Sequence, residues 1–459
     1  MTTRADGARF WRSSLIVCAV LALIAIGLGA AGVARRPDLV SASIAVDRAV
    51  DIGGERLVLK ARMPLAPVDP AQVSVTPAAS FTVQTKESTV TVRFLGPLAY
   101  GTEYRVAIAG VRSQYTNTVA DWSYTFGTSP TTLYTLIAHR GAGADDDTVV
   151  SNGDAGQTPL LAASEIEDYV VTRTLLVALT HPDADSSALV AVNREDGSNV
   201  EVKAPAVALL TGLSAAPDGS KFGYLASGQD GGRTYESTLF IADADNPAAP
   251  PVEVTAGDTP LAVLDWLFVP GANAVVVVNA QEQAFLIYLD GDTPPVPLGS
   301  LAQLVRFLPG SSTLMAEGAG KQVLLDLATG LTSDIENTPD PDKKTFVGRR
   351  SFLAVGDYLV EYNSFRRGGS GQGGESTRLT HVTRQGSTDL LTVEEDEGHL
   401  LNSGISPNGQ FGWAVVLDPK APLTDLFSGA SDHATTLIFD LATGKQVASV
   451  AGSLPVWAH

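Results

Sequence analysis

Hydrophobic and polar positions follow three different patterns along this chain. Between Leu15 and Val33 no charged residue occurs. At about 1.5 Å of helical rise per residue, this run reaches about 28 Å, close to the ~30 Å hydrocarbon layer of a bilayer. From residue 41 to 128 the pattern changes to period two, as in Arg56-Leu57-Val58-Leu59-Lys60-Ala61-Arg62 and Thr89-Val90-Thr91-Val92-Arg93-Phe94. Such alternation predicts strands with one buried face. Gly53-Gly54, Pro64, Pro67, Asp69-Pro70, Pro77, Gly96-Pro97 and Gly101 punctuate the runs as turns. About seven short strands in roughly ninety residues is the arithmetic of a β-sandwich.

Residues 131–459 repeat themselves. Ala216-Pro217-Asp218-Gly219-Ser220-Lys221-Phe222-Gly223-Tyr224 is echoed by Ser406-Pro407-Asn408-Gly409-Gln410-Phe411-Gly412-Trp413, with worn copies at Val269-Pro270-Gly271 and Leu308-Pro309-Gly310. A second element, Leu324-Leu325-Asp326-Leu327-Ala328-Thr329-Gly330, returns as Ile438-Phe439-Asp440-Leu441-Ala442-Thr443-Gly444. Pro217, Pro270, Pro309 and Pro407 are 53, 39 and 98 residues apart, the last gap being two periods of 49. A period in the forties with about four strands is a propeller blade, and this length holds about seven. More than three hundred β-rich residues outgrow one sandwich core, whereas radial repetition buries each sheet against the next. Leu454-Pro455-Val456-Trp457 is similar to Leu264-Asp265-Trp266-Leu267, which opens a blade. The final strand is therefore expected to close the ring by pairing near Leu133–Ile137.

Two resemblances follow from these motifs. Pro67-Val68-Asp69-Pro70-Ala71-Gln72-Val73-Ser74-Val75-Thr76-Pro77, Pro97-Leu98-Ala99-Tyr100-Gly101-Thr102-Glu103-Tyr104-Arg105-Val106 and Tyr124-Thr125-Phe126-Gly127-Thr128 resemble bacterial Ig-like domains of surface and cell-envelope proteins. That implies a spacer or adhesion module without catalytic residues. The Pro-Asp-Gly turn and the Leu-x-x-x-Asp strand resemble the TolB/WD40-like propeller repeats of bacterial exported proteins. The expected fold is all-β: a transmembrane helix, an Ig-like β-sandwich and a seven-bladed β-propeller. The expected organisation is a cytoplasmic N-terminus (1–14), the membrane helix (15–33), a stem (34–40), the sandwich (41–128) and the propeller (131–459).

Flanking charge orients the apolar segment. Arg4, Arg9 and Arg12 precede it and Arg35-Arg36 follow it, so the side with three arginines and the free amine is expected to stay cytoplasmic. The chain would then be a single-pass membrane protein with its bulk outside. The competing reading is a cleaved signal peptide, for which Gly32-Val33-Ala34 offers small residues, although the run exceeds the usual 7–15 residues.

Composition narrows the function. With 31 basic and 50 acidic side chains, the net charge of −19 argues against a protein that grips nucleic acid. One Cys excludes a disulfide framework. No Gly-x-Ser-x-Gly elbow, His-Glu-x-x-His or phosphate loop occurs, and the six His are scattered. Catalytic, cofactor and metal residues are therefore expected to be none. Asp183-Ala184-Asp185, Asp243-Ala244-Asp245 and Asp290-Gly291-Asp292 have oxygens of the kind calcium takes, but none completes a twelve-residue loop, and turn chemistry is the favoured reading. The Gly-rich stretch 364–375 reads as a loop between two strands of the sixth blade. Its Arg366 and Arg367 form a local basic spot where a partner's carboxylates could dock. The expectation is a membrane-anchored extracytoplasmic binding or scaffold protein that recognises an envelope protein or a glycan. The alternative is a propeller-type hydrolase or lyase with its site at the central channel, since residues converging from separate blades leave no local motif.

Overall fold

The computed structural model describes residues 36–116, 118–139, 145–153, 156–183, 185–207, 209–257, 259–335, 345–366, 374–422 and 430–458. The expected membrane helix (15–33) and Arg367 lie outside them. Among the described residues no helix is long and apolar enough to cross a membrane. The chain forms two compact units.

The first unit is a sandwich of two antiparallel sheets. One has the order Leu39–Ser43, Arg56–Ala61, Thr89–Phe94, Phe81–Lys86, and the other has Val73–Thr76, Glu103–Arg112, Val119–Gly127. Alternation decides which side chains meet. Leu57 and Leu59 are buried while Lys60 is exposed, and Val90, Val92 and Phe94 share the inner face of the neighbouring strand. The two sheets touch where Phe94 meets Phe126, with ring centroids 6.2 Å apart. Tyr104 is a core tyrosine, its ring stacked on Phe126 at 5.8 Å. The Asp69-Pro70 turn is a short 3-10 helix with a capping box: Asp69 accepts from the Ala71 N–H at 2.8 Å, and the Gln72 side chain accepts from the Asp69 N–H at 2.9 Å.

The second unit is a β-propeller. Seven four-stranded antiparallel sheets follow one another, and the last strand of the chain completes the first sheet. That strand, Ser453–Ala458, pairs with Thr132–Ile137, placing Trp457 opposite Leu133 and Val456 opposite Tyr134, in agreement with the closure that the sequence repeat predicts. The first strands of the seven blades are Ser453–Ala458, Ile166–Val171, Leu209–Ala215, Val263–Phe268, Gln303–Phe307, Thr345–Ala354 and His399–Ile405. Most neighbouring pairs of these strands touch, so they form the inner wall. Several second strands are buried on both faces over much of their length. Ala274–Asn279 is a continuous run of buried residues, which is why it reads as unbroken Val.

The apolar core is distributed between blades. Val177 and Leu179 of blade 2 pack with Phe222 and Tyr224 of blade 3, and Val276 and Val278 of blade 4 pack with Leu314 and Ala316 of blade 5. Both repeated motifs are turns within this scheme. In blade 3, Asp218 accepts from the Ser220 N–H and hydroxyl at 3.1 and 2.7 Å while Gly219 adopts φ +65°. Asp326 and Asp440 end third strands in the same way, followed by Gly330 and Gly444 at φ +69° and +68°.

Candidate functional site

Every inner strand is irregular at the same place. The register between first and second strands slips at Ile166/Asp168, Thr211/Ser214, Val263/Asp265, Leu304/Arg306, Val347/Arg350, Leu400/Asn402 and Ser453/Val456. A bulge adds a residue, bends the strand and re-aims the side chains that follow. The residues after the slips then join one blade to the next. Asp265 accepts from its own Trp266 N–H at 2.8 Å and from the Leu304 N–H of blade 5 at 2.7 Å. Trp266 Nε1 donates back to the Gly212 carbonyl of blade 3 at 3.1 Å, and Tyr169 Oη donates to the Leu454 carbonyl of the closing strand at 2.7 Å. Arg349 of blade 6 donates to Asn402 Oδ1 of blade 7, whose Ser403 hydroxyl donates to Glu361 Oε1 at 2.6 Å.

Burial perturbs the charges in this wall. It pushes the Asp168 carboxyl up to about 7, against the Tyr169 N–H that it accepts, and the adjacent Glu167 adds a smaller push. Asp265 is raised for the same reason, opposed by its two backbone donors. Arg306 is lowered to about 10 by burial alone. None of the three is marked by the sequence, where each is one polar residue in an alternating strand.

A cavity of about 950 Å³ opens where inner strands of blades 1 to 4 turn into second strands. Tyr169, Val171, Phe268, Val456 and Trp457 supply apolar wall, and Arg173, Asp218, Ser220, Lys221 and Asn273 supply polar groups. Arg173 and Asp218 are 3.5 Å apart and more than half exposed, a weak pair. Two further segments of the same unit, Asp47–Gly53 and Gly96–Thr102, complete the boundary with Asp47, Arg48, Asp51, Ile52 and Tyr100.

These segments are held by the repeated turns. Ile52 bridges Gly310, and the Gly53 N–H donates to the Gly310 carbonyl at 3.1 Å. Asn408 Nδ2 donates to the Leu98 carbonyl at 3.2 Å, and Gln410 Oε1 accepts from the Tyr100 N–H at 2.8 Å. Ala49, Val50 and Leu98 are fully buried there. The short helix Val46–Asp51 was not expected from the sequence, since six residues are too few to show a helical period.

The sequence-nominated residues fall elsewhere. Arg366 ends the second strand of blade 6, Asp357–Arg366, whose partner Gly374–Thr383 is the third, so the Gly-rich stretch does join two strands of that blade. His381 Nε2 is 2.7 Å from Asp357 Oδ1, and His181 Nε2 is 2.6 Å from Glu167 Oε2, each pair tying neighbouring strands of one blade. Asp183, Asp243 and Asp290 accept from backbone N–H groups two residues on at 3.2, 2.9 and 3.1 Å, which is turn chemistry. Among the described residues no three His, Cys, Asp or Glu gather as a metal site.

No protein-family model and no curated protein matches the chain. Solved structures with a similar course include a protein from Lactobacillus plantarum (11% identity, 72% of this chain and 99% of that one, TM-score 0.43). Others are a protein from Bacteroides fragilis provisionally named a 6-phosphogluconolactonase (13%, 71% and 97%, 0.41) and the Swd1 β-propeller domain from Myceliophteria thermophila (12%, 64% and 87%, 0.38). At these values the propeller is established by the sheet order of the chain itself, and no activity carries over.

Proposed function

We propose that this chain is a membrane-anchored extracytoplasmic binding or scaffold protein that presents a β-propeller to a protein or glycan. Its sandwich is read as an Ig-like spacer and residues 15–33 as a single-pass anchor with a cytoplasmic N-terminus. The observation that carries the reading is the cavity of about 950 Å³, whose wall is largely apolar and aromatic with charged groups at separate points. That lining suits recognition, because apolar area supplies affinity while a few fixed polar groups set orientation.

The test uses the full chain in detergent against glycan and peptide arrays, with Lys221→Glu and Asn273→Trp as cavity variants. Binding that both variants weaken supports the reading. Equal binding by all three proteins contradicts it. The anchor is tested separately by carbonate washing of native membranes: retention of the full-length chain supports it, and release of a shortened chain contradicts it.

One observation favours the hydrolase or lyase alternative. A carboxyl raised to about 7 on an inner strand, as at Asp168, is suited to proton transfer near neutral pH. Asp168→Asn separates the two, since turnover of an array substrate that this change abolishes would make the chain an enzyme.

A further inference from the structure

One end of the sandwich has a surface of its own, and strand register identifies it. Leu39 lies opposite Ala61, Lys60 opposite Thr89, Thr89 opposite Lys86, and Arg112 opposite Val119. The two sheets are joined there, because Leu65 bridges Ser113 and donates its N–H to the Glu87 carbonyl at 2.8 Å. Exposed apolar residues gather at this end. Tyr115, Val40 and Val119 are 77, 50 and 41% exposed, and among the described residues of the sandwich only Leu95, at the opposite end after Phe94, is comparable. Tyr115 tops the hairpin between Glu103–Arg112 and Val119–Gly127, whose backbone is fixed from two sides. The Ser113 hydroxyl accepts from the Thr116 N–H at 3.3 Å, and the Gln114 N–H donates to the Pro64 carbonyl at 2.9 Å.

Lys60, Arg62, Lys86 and Arg112 are exposed around this hairpin end, and Arg36 precedes its first strand. None of the five forms an ion pair among the described residues. Asp38 and Glu87 are the carboxylates at the same end. Asp69 and Asp121 lie further in, near Gly110, and accept from the Ala71 and Gly110 N–H groups at 2.8 and 2.7 Å. Residues 36–128 carry 9 basic and 8 acidic side chains, whereas residues 129–459 carry 18 and 41. An anionic surface therefore repels the later residues and tolerates this end.

Connectivity selects the occupant. The buried Trp122 donates its Nε1 to the Pro37 carbonyl at 2.6 Å, so the chain is fixed to the sandwich from Pro37 onward. On the anchor reading the hydrocarbon ends at Val33, and the four steps to Pro37 span at most about 14 Å when fully extended. The headgroup layer alone is roughly 5–8 Å deep. We propose that this end of the sandwich docks on anionic phospholipid headgroups of the bilayer that its own anchor crosses. Tyr115 sits at the interface, where an aromatic ring with a polar tip is favoured, and Arg62, Lys86 and Arg112 face the phosphates within a Debye length. The inference rests on the anchor reading and deepens it: the spacer is seated on the membrane.

The experiment places the full chain, with Cys18→Ser, in phosphatidylcholine vesicles with or without phosphatidylglycerol. A fluorophore on Tyr115→Cys, or on Leu95→Cys as the far-end control, reports quenching by brominated lipid. Quenching at position 115 should exceed that at position 95, rise with phosphatidylglycerol and fall with salt. Arg62→Glu combined with Arg112→Glu should lower it at least threefold with unchanged melting, since both side chains are exposed. Equal quenching at the two positions, or quenching at position 115 indifferent to phosphatidylglycerol, salt and the arginine changes, would overturn the proposal. Flotation of the vesicles after carbonate washing separates the two readings. A chain that floats without this quenching keeps its anchor and loses only the docking surface, whereas a chain that fails to float loses the two together.

Discussion

Replacing Asp168 by Asn should stabilise the protein at pH 8 and leave it unchanged at pH 4. Asn keeps the oxygen that accepts the Tyr169 N–H at 2.8 Å and removes only the buried charge. Burial raises the carboxyl from 3.8 to about 7, roughly three pH units. At about 1.4 kcal/mol per unit the charged form costs up to about 4 kcal/mol, fully felt only above pH 7. The folded protein holds this proton more tightly than the unfolded chain. Stability from Asp168 is therefore complete below about pH 4 and is lost as pH rises towards 7. Urea unfolding of wild type and variant at pH 4, 6 and 8 measures the difference directly. A gap of about 2–4 kcal/mol at pH 8, shrinking to nothing at pH 4, is expected, the lower figure allowing for relaxation of the bulge. A gap that does not vary with pH, or a variant less stable at pH 8, would refute the argument from buried charge.

Other perturbations test other parts. Gly310→Ala places a Cβ 2.3 Å from the Pro97 ring at φ +64° and should cost more than ~2 kcal/mol in thermal unfolding, whereas Gly320→Ala, at φ +73° with open space, should cost only ~1. Tyr169→Phe leaves the Leu454 carbonyl without its 2.7 Å donor and should cost ~1–2 kcal/mol by denaturant titration. Deleting Ser453–His459 removes the strand that completes blade 1 and should lower the melting temperature by roughly 10 °C or more, since the loss is comparable to the ~5–15 kcal/mol that holds a domain together.

What the sequence disclosed about the fold came from turns. Gly219, Gly409, Gly330 and Gly444 must take positive φ, and Asp or Asn beside them must bond the turn backbone, so those residues recur in sequence even where the strands have diverged. That periodicity was enough to count blades and to find the closing strand, although the latter carries an extra residue, with Leu454 at φ +48° inside its register slip. Side-chain direction on the inner strands was not readable. Leu264, Val305 and Phe346 look like core positions in an alternating run, and the register slip that exposes two of them and re-aims Asp265 and Arg306 depends on hydrogen bonding with a second strand. Segments Asp47–Gly53 and Gly96–Thr102 were hidden for another reason. Their contacts are with turns some 200 to 350 residues later, and Pro97 to Tyr100 also suit an Ig-like motif.

The claim on which the rest depends is that the end of the chain completes its first blade. Thr132 and Ala458 are directly paired across the join, so Thr132→Cys with Ala458→Cys, in a Cys18→Ser background, tests it by oxidation and non-reducing electrophoresis. A closed ring predicts a monomeric, faster-migrating species in near-complete yield. Free thiols, or disulfides only between separate molecules, would contradict it.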